Sequence, residues 1–268
     1  MNNPYFIVEP AGAKVPVIVS VPHSGVDFPG ELKPRYRAEM IAQIDDTDWL
    51  VHDLYNFAPE LGITIIHARY SRWVIDLNRD PESAPLYDDG RIITGLTPST
   101  DFLGREIYTD KKFVPDEEET TRRLENYYRP YYQKIESLLK ERIDEFGQVL
   151  LWDAHSIRRF VPTIRPEPFP DLILGDNDER SAAKEIIDIA LDGLRAGRYE
   201  ANHNTPFKGG HITRHFGKPE TRVHALQLEM SKIHYMNDDE TTFSEDRAAE
   251  MRKVLRPVFG RLIEHLTK

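Results

Sequence analysis

The stretch VPVIVSVPHSGVDFP, residues 15–29, carries an apolar run that halts abruptly at Pro22, His23, Ser24 and Gly25. A run so rich in Val and Ile predicts a strand covered on both faces, of the kind found inside a mostly parallel sheet. The break after it is a turn, and Ser and Gly are enough to make one. A turn has no need of an imidazole, so His23 is a candidate for chemistry.

The same pattern recurs along the chain as ITIIHA (63–68), WVIDL (73–77), QVLLWD (148–153), DLILG (171–175) and VHALQLEM (223–230). Between these runs lie helical patterns. The first covers Asp48 to Leu61. The longest covers Pro115 to Phe146, opened by Pro115 and four acidic residues and stopped by Gly147. Others span Asp178 to Ala196, before Gly197, and Phe243 to Leu266, with a bend expected at Pro257. Strands alternating with helices predict an α/β fold, a three-layer sandwich around a mostly parallel sheet. Residues 80–114 show little periodicity and read as a functional excursion. With no repeat, low-complexity tract or composition break, residues 1–268 are expected to form a single catalytic domain.

Composition narrows the function classes. Thirty-five basic against 45 acidic side chains leave a formal charge of -10, which repels a phosphate backbone and argues against nucleic acid. No window has the length of apolar sequence a membrane helix needs, and MNNPYF lacks the basic-then-apolar pattern of a signal peptide, so a cytoplasmic protein is expected. With no cysteine, disulfides, thiolate nucleophiles and sulfur-ligated metals are excluded. Any metal here must sit on His, Asp, Glu or water.

Ligands of open α/β sheets bind beyond the carboxyl ends of the strands. His23 follows the first run, Asn78 and Arg79 follow WVIDL, and Asp153 and His155 close QVLLW. Asp176 follows DLILG, and Glu229 ends VHALQL. Singly, each has an ordinary structural explanation as a turn or ion-pair residue. Together, two histidines and a carboxylate at strand ends are the ingredients of a catalytic zinc site, which uses three protein ligands and leaves a place for water. IDDTDW (44–49) offers the carboxylate, from Asp46 or Asp48, although Asp at a helix entrance also caps.

ARYSRWVIDLNRD (68–80) gathers Arg69, Arg72 and Arg79 in an acidic chain. Guanidinium forks match carboxylates bidentately, which points to an anionic small substrate, while Asp76, Asp80 or Glu82 offer plain ion pairs instead. NTPFKGGHITRHFG (204–217) is a glycine-bearing loop in which His211 is a candidate substrate or transition-state contact. His52, His67, His203, His224, His234 and His265 have no comparable context and read as structural.

VPHSG, DDTDW, RYSRWVIDLNRDP, WDAHS, NTPFKGGHITRHFG and LQLEMS, in this order over about residues 15–235, resemble the N-formylglutamate amidohydrolase (N-formylglutamate deformylase) family. The resemblance implies hydrolysis of N-formyl-L-glutamate to formate and L-glutamate in histidine degradation. The implied fold is similar to zinc carboxypeptidases and other phosphorylase/hydrolase-like folds. It also implies Zn2+, or another divalent metal, on His23, His155 and a carboxylate, with Asp46 first and Asp48 as the alternative. Glu229 is then the general base, Asn78 and Arg79 hold a substrate carboxylate, and Arg72 polarises the scissile carbonyl, with His211 as a further contact. Where carboxypeptidases take a histidine and a glutamate from HxxE, this chain reads His23-Ser24-Gly25-Val26, so the acidic ligand comes from elsewhere. The partner expected is a small dicarboxylate, whose second carboxylate would meet Arg69, Arg165 or Arg214.

Three rival readings follow from the same residues. One is a zinc deacylase of another N-acyl amino acid. Another is a serine hydrolase using Ser24 or Ser156, neither of which sits in a GxSxG elbow. The third is a non-catalytic binder of acidic metabolites, which leaves the strand-end histidines and Glu229 without a shared purpose.

Overall fold

A computed structural model describes residues 3–42, 47–82 and 95–268. Among these residues the centre is a mixed sheet of seven strands: β1 (Tyr5–Val8), β2 (Val17–Val21), β3 (Thr64–Ala68), β4 (Val149–Ile157), β5 (Leu172–Gly175), β6 (Ala201–His203) and β7 (Val223–Ser231), ordered β1-β3-β2-β4-β7-β5-β6. Strands β3, β2, β4 and β7 are parallel to one another, and β5 and β6 are parallel as well. Antiparallel pairing joins β1 to β3 and β5 to β7.

Helices cover both faces, as the alternating pattern predicts. They are α1 (Ala38–Ala42), α2 (Val51–Leu54), α3 (Glu117–Arg123), α4 (Arg129–Phe146), α5 (Lys184–Arg195), α6 (His211–Phe216) and α7 (Glu245–Leu266). On one face Val17, Val19, Leu150, Trp152, Leu226 and Leu228 pack with residues of α5 and α7. On the other, Ile18, Ile66, Val149, Leu151 and Ala225 pack beneath α4 and α6. Each fully buried aliphatic side chain contributes roughly 1.5–3 kcal/mol through removal from water. Among the described residues, no helix is long and apolar enough to cross a membrane.

The long helical stretch begins at Glu117, capped by Asp116, whose carboxylate accepts from Glu119 N, and ends at Gly147, whose φ of 77° suits glycine. Its middle is a π-helical turn, Leu124–Tyr128, just before Pro130, which has no N–H to offer an ordinary helical bond. The Tyr128 and Tyr132 hydroxyls donate to Arg79 O at 2.9 Å and Leu77 O at 2.8 Å. The helix thereby holds the 72–79 segment from above.

Four expectations need correction. WVIDL, residues 73–77, is buried but is not a strand. Its backbone turns back on itself, with Val74 N bonded to Ser71 O and Arg79 N to Asp76 O, while Trp73 N is bonded to Ser71 Oγ and Asn78 N to Asp76 Oδ1. Side-chain acceptors close to their own backbone compete with a ladder, and here they win. The helix expected over Asp48–Leu61 is reduced to α2 and a 3-10 turn at Ala58–Leu61. The helix expected from Asp178 begins at Lys184, because Asn177, Asp178 and Glu179 have left-handed φ of 57°, 56° and 63°. Finally, the edge strands β1 and β6, of four and three residues, are too short to show a period in the sequence. Within the 80–114 excursion, residues 83–94 lie outside the described residues.

Candidate metal and catalytic site

Side chains alternate across a strand. On the face beneath α4, the apolar residues Ile18, Val149, Leu151 and Ala225 occupy the first halves of β2, β4 and β7. The same face continues toward the carboxyl ends as Ser20, Asp153, His155, Gln227 and Glu229. One face thus changes from core to polar floor along the strands. His23 enters this floor from the turn after β2.

His23, Asp48 and His155 meet here, each at most 4% exposed, with one ligand atom apiece all within 4.8 Å of one another. Asp48 Oδ2 lies 3.0 Å from His155 Nδ1 and 3.7 Å from His23 Nδ1, and the two imidazole rings are edge-on at 4.9 Å. Asp48 is drawn in by the chain itself, since its N–H donates to His23 O at 3.0 Å and the Thr47 hydroxyl donates to the same oxygen at 2.6 Å. Asp46, the other carboxylate candidate, lies outside the described residues.

The remaining nitrogen of each imidazole faces another carboxylate. His23 Nε2 is 2.8 Å from Asp76 Oδ1, and His155 Nε2 is 3.0 Å from Asp153 Oδ2. Such outer carboxylates fix ring orientation and direct the opposite nitrogen toward a cation. They carry no signal in the sequence beyond being acids inside apolar runs. Asp76 is further paired with Arg72 Nη2 at 2.5 Å and lies 3.5 Å from Arg79 Nε.

Electrostatics follow from this crowding. Burial alone would lower the His155 pKa, but Asp153 and Asp48 hold it well above the ordinary imidazole value. Burial and Arg72 outweigh the acids around His23 and lower its pKa. Burial opposes ionisation of Asp76, yet Arg72, His23 and Arg79 keep its pKa well below the usual carboxylate range. Asp48 is likewise lowered, against burial, by His155 and His23. Glu229 goes the other way. Burial, with Asp48 and Asp153 adding, outweighs His155 and Arg72 and pushes it to about 8.

Glu229 stands directly opposite His155 in the β4–β7 register. Asn78 sits between the strands and α6: its Oδ1 accepts from Ile212 N at 2.8 Å and its Nδ2 lies 3.1 Å from His155 Nε2. Gly210 makes this approach possible, because a Cβ there would lie 2.2 Å from Asn78 Nδ2. His211, at the start of α6, faces Asp80 at 3.8 Å and the rings of Tyr132 and His215. Its pKa is lowered, mainly by burial.

Arg69 does not converge with these groups, and Arg165 and Arg214 each have a partner of their own. Arg69 lies at the β1 edge, donating to Asn3 O at 2.8 Å and stacked 3.9 Å above Phe6. Arg165 lies over Phe169 at 5.5 Å, and Arg214 donates to Gly209 O at 2.9 Å.

The donor set fits a divalent transition metal. Two imidazole nitrogens and one carboxylate oxygen, buried and oriented from behind, suit zinc better than calcium or magnesium, which take all-oxygen shells.

A family model of N-formylglutamate amidohydrolase matches residues 15–236. N-formylglutamate deformylase of Pseudomonas aeruginosa is 40% identical over 258 residues, covering 94% of this chain and 93% of that protein. N-formylglutamate deformylase of Pseudomonas putida is 37% identical, covering 93% of each. The crystal structure of N-formylglutamate amidohydrolase from Ralstonia eutropha JMP134 superposes with a TM-score of 0.81 at 25% identity, over 99% of this chain and 98% of that one. The chain belongs to the N-formylglutamate amidohydrolase family.

Proposed function

We propose that this protein hydrolyses N-formyl-L-glutamate to formate and L-glutamate, as a metal-dependent step of histidine degradation in the cytoplasm. The observation that carries the reading is the meeting of His23, Asp48 and His155 beside Glu229 in a chain 40% identical to a deformylase. His23, Asp48 and His155 would hold the ion. When bound, a zinc ion supplies Lewis acidity that brings the pKa of water toward neutrality and polarises a carbonyl.

The chain's own residues perform the proton work. A Glu229 carboxylate removes a proton from the attacking water as the water oxygen bonds to the formyl carbon. As the carbon–nitrogen bond breaks, protonated Glu229 returns that proton to the leaving amine. The raised affinity of Glu229 for a proton supports both halves of this exchange. Arg72, in the same electrostatic field as Glu229 and Asp48, stabilises negative charge developing on the formyl oxygen. Asn78 and Arg79 receive the substrate's α-carboxylate, and His211 is a further contact from α6.

Formate release from N-formyl-L-glutamate by the zinc-loaded protein, compared with N-acetyl- and N-succinyl-L-glutamate, tests this reading. Turnover of the formyl compound is expected to exceed the others by at least about 100-fold, since a small acyl site rejects larger groups by sterics. Preference for a larger acyl group would replace the reading with another deacylase.

A further inference from the structure

The proposed substrate has a second carboxylate at the end of its side chain. Of the cations the sequence offers for it, Arg69 lies at the β1 edge, while Arg165 stacks over Phe169 and Arg214 bonds the Gly209 carbonyl. A different pair lies just beyond the reacting groups. His155 is followed along β4 by Ser156, Ile157 and Arg158, and Glu229 is followed along β7 by Met230, Ser231 and Lys232. Since His155 is in register with Glu229 and Ile157 with Ser231, Arg158 and Lys232 leave the two strands at the same level.

Both line a cavity of about 290 Å3 whose other walls include Phe102, Leu103, Phe160 and Val161. Lys232 is buried, with 3% of its surface exposed. Arg158 is half-buried, with Glu240 at 3.8 Å. The cavity is tied to the catalytic cluster by Phe102, whose ring lies 4.8 Å from the Arg72 guanidinium, which in turn pairs with Asp76 behind His23. From His155 to Ile157 and from Glu229 to Ser231 the strands advance about 7 Å, and Arg158 and Lys232 follow directly where the strands end. An extended N-formylglutamate separates its formyl and side-chain carboxyl carbons by about 6 Å, a length of the same order as that advance.

We propose that this cavity is the side-chain pocket of the substrate, with apolar walls around the methylenes and with Arg158 and Lys232 receiving the distal carboxylate. The assignment rests on the deformylase reading and adds the source of its selectivity for an acidic side chain.

The test compares kcat/KM for N-formyl-L-glutamate with that for N-formyl-L-glutamine, its neutral isostere, in zinc-loaded wild type, Arg158→Met, Lys232→Met and Lys232→Arg. The acid-to-amide ratio is expected to fall about 10- to 100-fold in each Met variant, chiefly through KM for the acid, and to recover in Lys232→Arg. Arg158 is partly exposed, so its variant remains informative if Lys232→Met fails to fold. A ratio within about 3-fold of wild type in Arg158→Met and in every soluble Lys232 variant would overturn the pocket. Wild type releasing formate from neither compound would instead overturn the deformylase reading. The pocket is then judged by calorimetric titration of glutarate against butyrate, where equal affinities in wild type and Arg158→Met would overturn it too.

Discussion

Asp76 Oδ1 lies 2.8 Å from His23 Nε2, so the histidine that the first strand delivers is oriented by an acid 53 residues further along the chain. The same carboxylate binds Arg72 and the Asn78 N–H. One side chain therefore positions a metal candidate, an oxyanion candidate and a substrate-binding candidate together.

Asp76→Asn should therefore lower metal affinity by about 10- to 100-fold. It should also destabilise the fold by about 3–5 kcal/mol, because buried Arg72 loses its counter-ion. Chelator competition and urea unfolding read the two effects separately. Unchanged values in both would show that Asp76 is incidental.

Gly210→Ala should retain the fold and lose activity. The added methyl would collide with the Asn78 amide, moving a group that lies 3.1 Å from His155 Nε2, and displacements of this size cost about 100-fold in turnover. Wild-type kcat/KM in Gly210→Ala would contradict the positioning of Asn78.

Glu229→Gln should keep its metal while losing roughly 10^3-fold or more in kcat, since a general base and the nucleophile it activates act as a unit. Metal analysis and formate release on the same preparation decide this. Wild-type turnover would remove Glu229 from the mechanism.

Acid should weaken the fold before it protonates most carboxylates. Burial, aided by His265 and Arg222, lowers His224 from 6.5 to about 4. Burial, with His52 next, lowers His67 to about 4. Neutral His224 Nδ1 accepts the Ala183 N–H at 3.3 Å, a bond that protonation forbids. A depressed imidazole contributes stability that is whole above the unfolded value and is lost as pH falls from 6.5 toward 4. Urea unfolding at several pH values should show this decline, and His224→Gln should flatten it. An identical slope in the variant would exclude His224 as a source.

The strand-end histidines were legible in the sequence because an imidazole interrupting a buried run has few structural reasons to be there. The central strands β2, β4 and β7 were legible for the same reason, since their runs are long and apolar. WVIDL misleads because burial alone does not make a strand: Ser71 captures the N–H groups of Trp73 and Val74, and Asp76 that of Asn78 just beyond. The short edge strand β1 alternates half-buried and exposed residues over four positions, too few for a period to stand out. The role of Asp76 depends on a histidine 53 residues away along the chain, which no spacing rule links to it, whereas Asp153 shares a strand face with His155 two residues on. Arg158 and Lys232 carry no signal in the sequence because they gain meaning only when the ends of β4 and β7 are set in register.

The most direct measurement is the zinc content of purified Asp48→Asn beside wild type, by elemental analysis after exhaustive dialysis against apo buffer. Wild type should hold about one ion per chain and the variant less than about a tenth of that. Full occupancy in Asp48→Asn would contradict the ligand set of His23, Asp48 and His155.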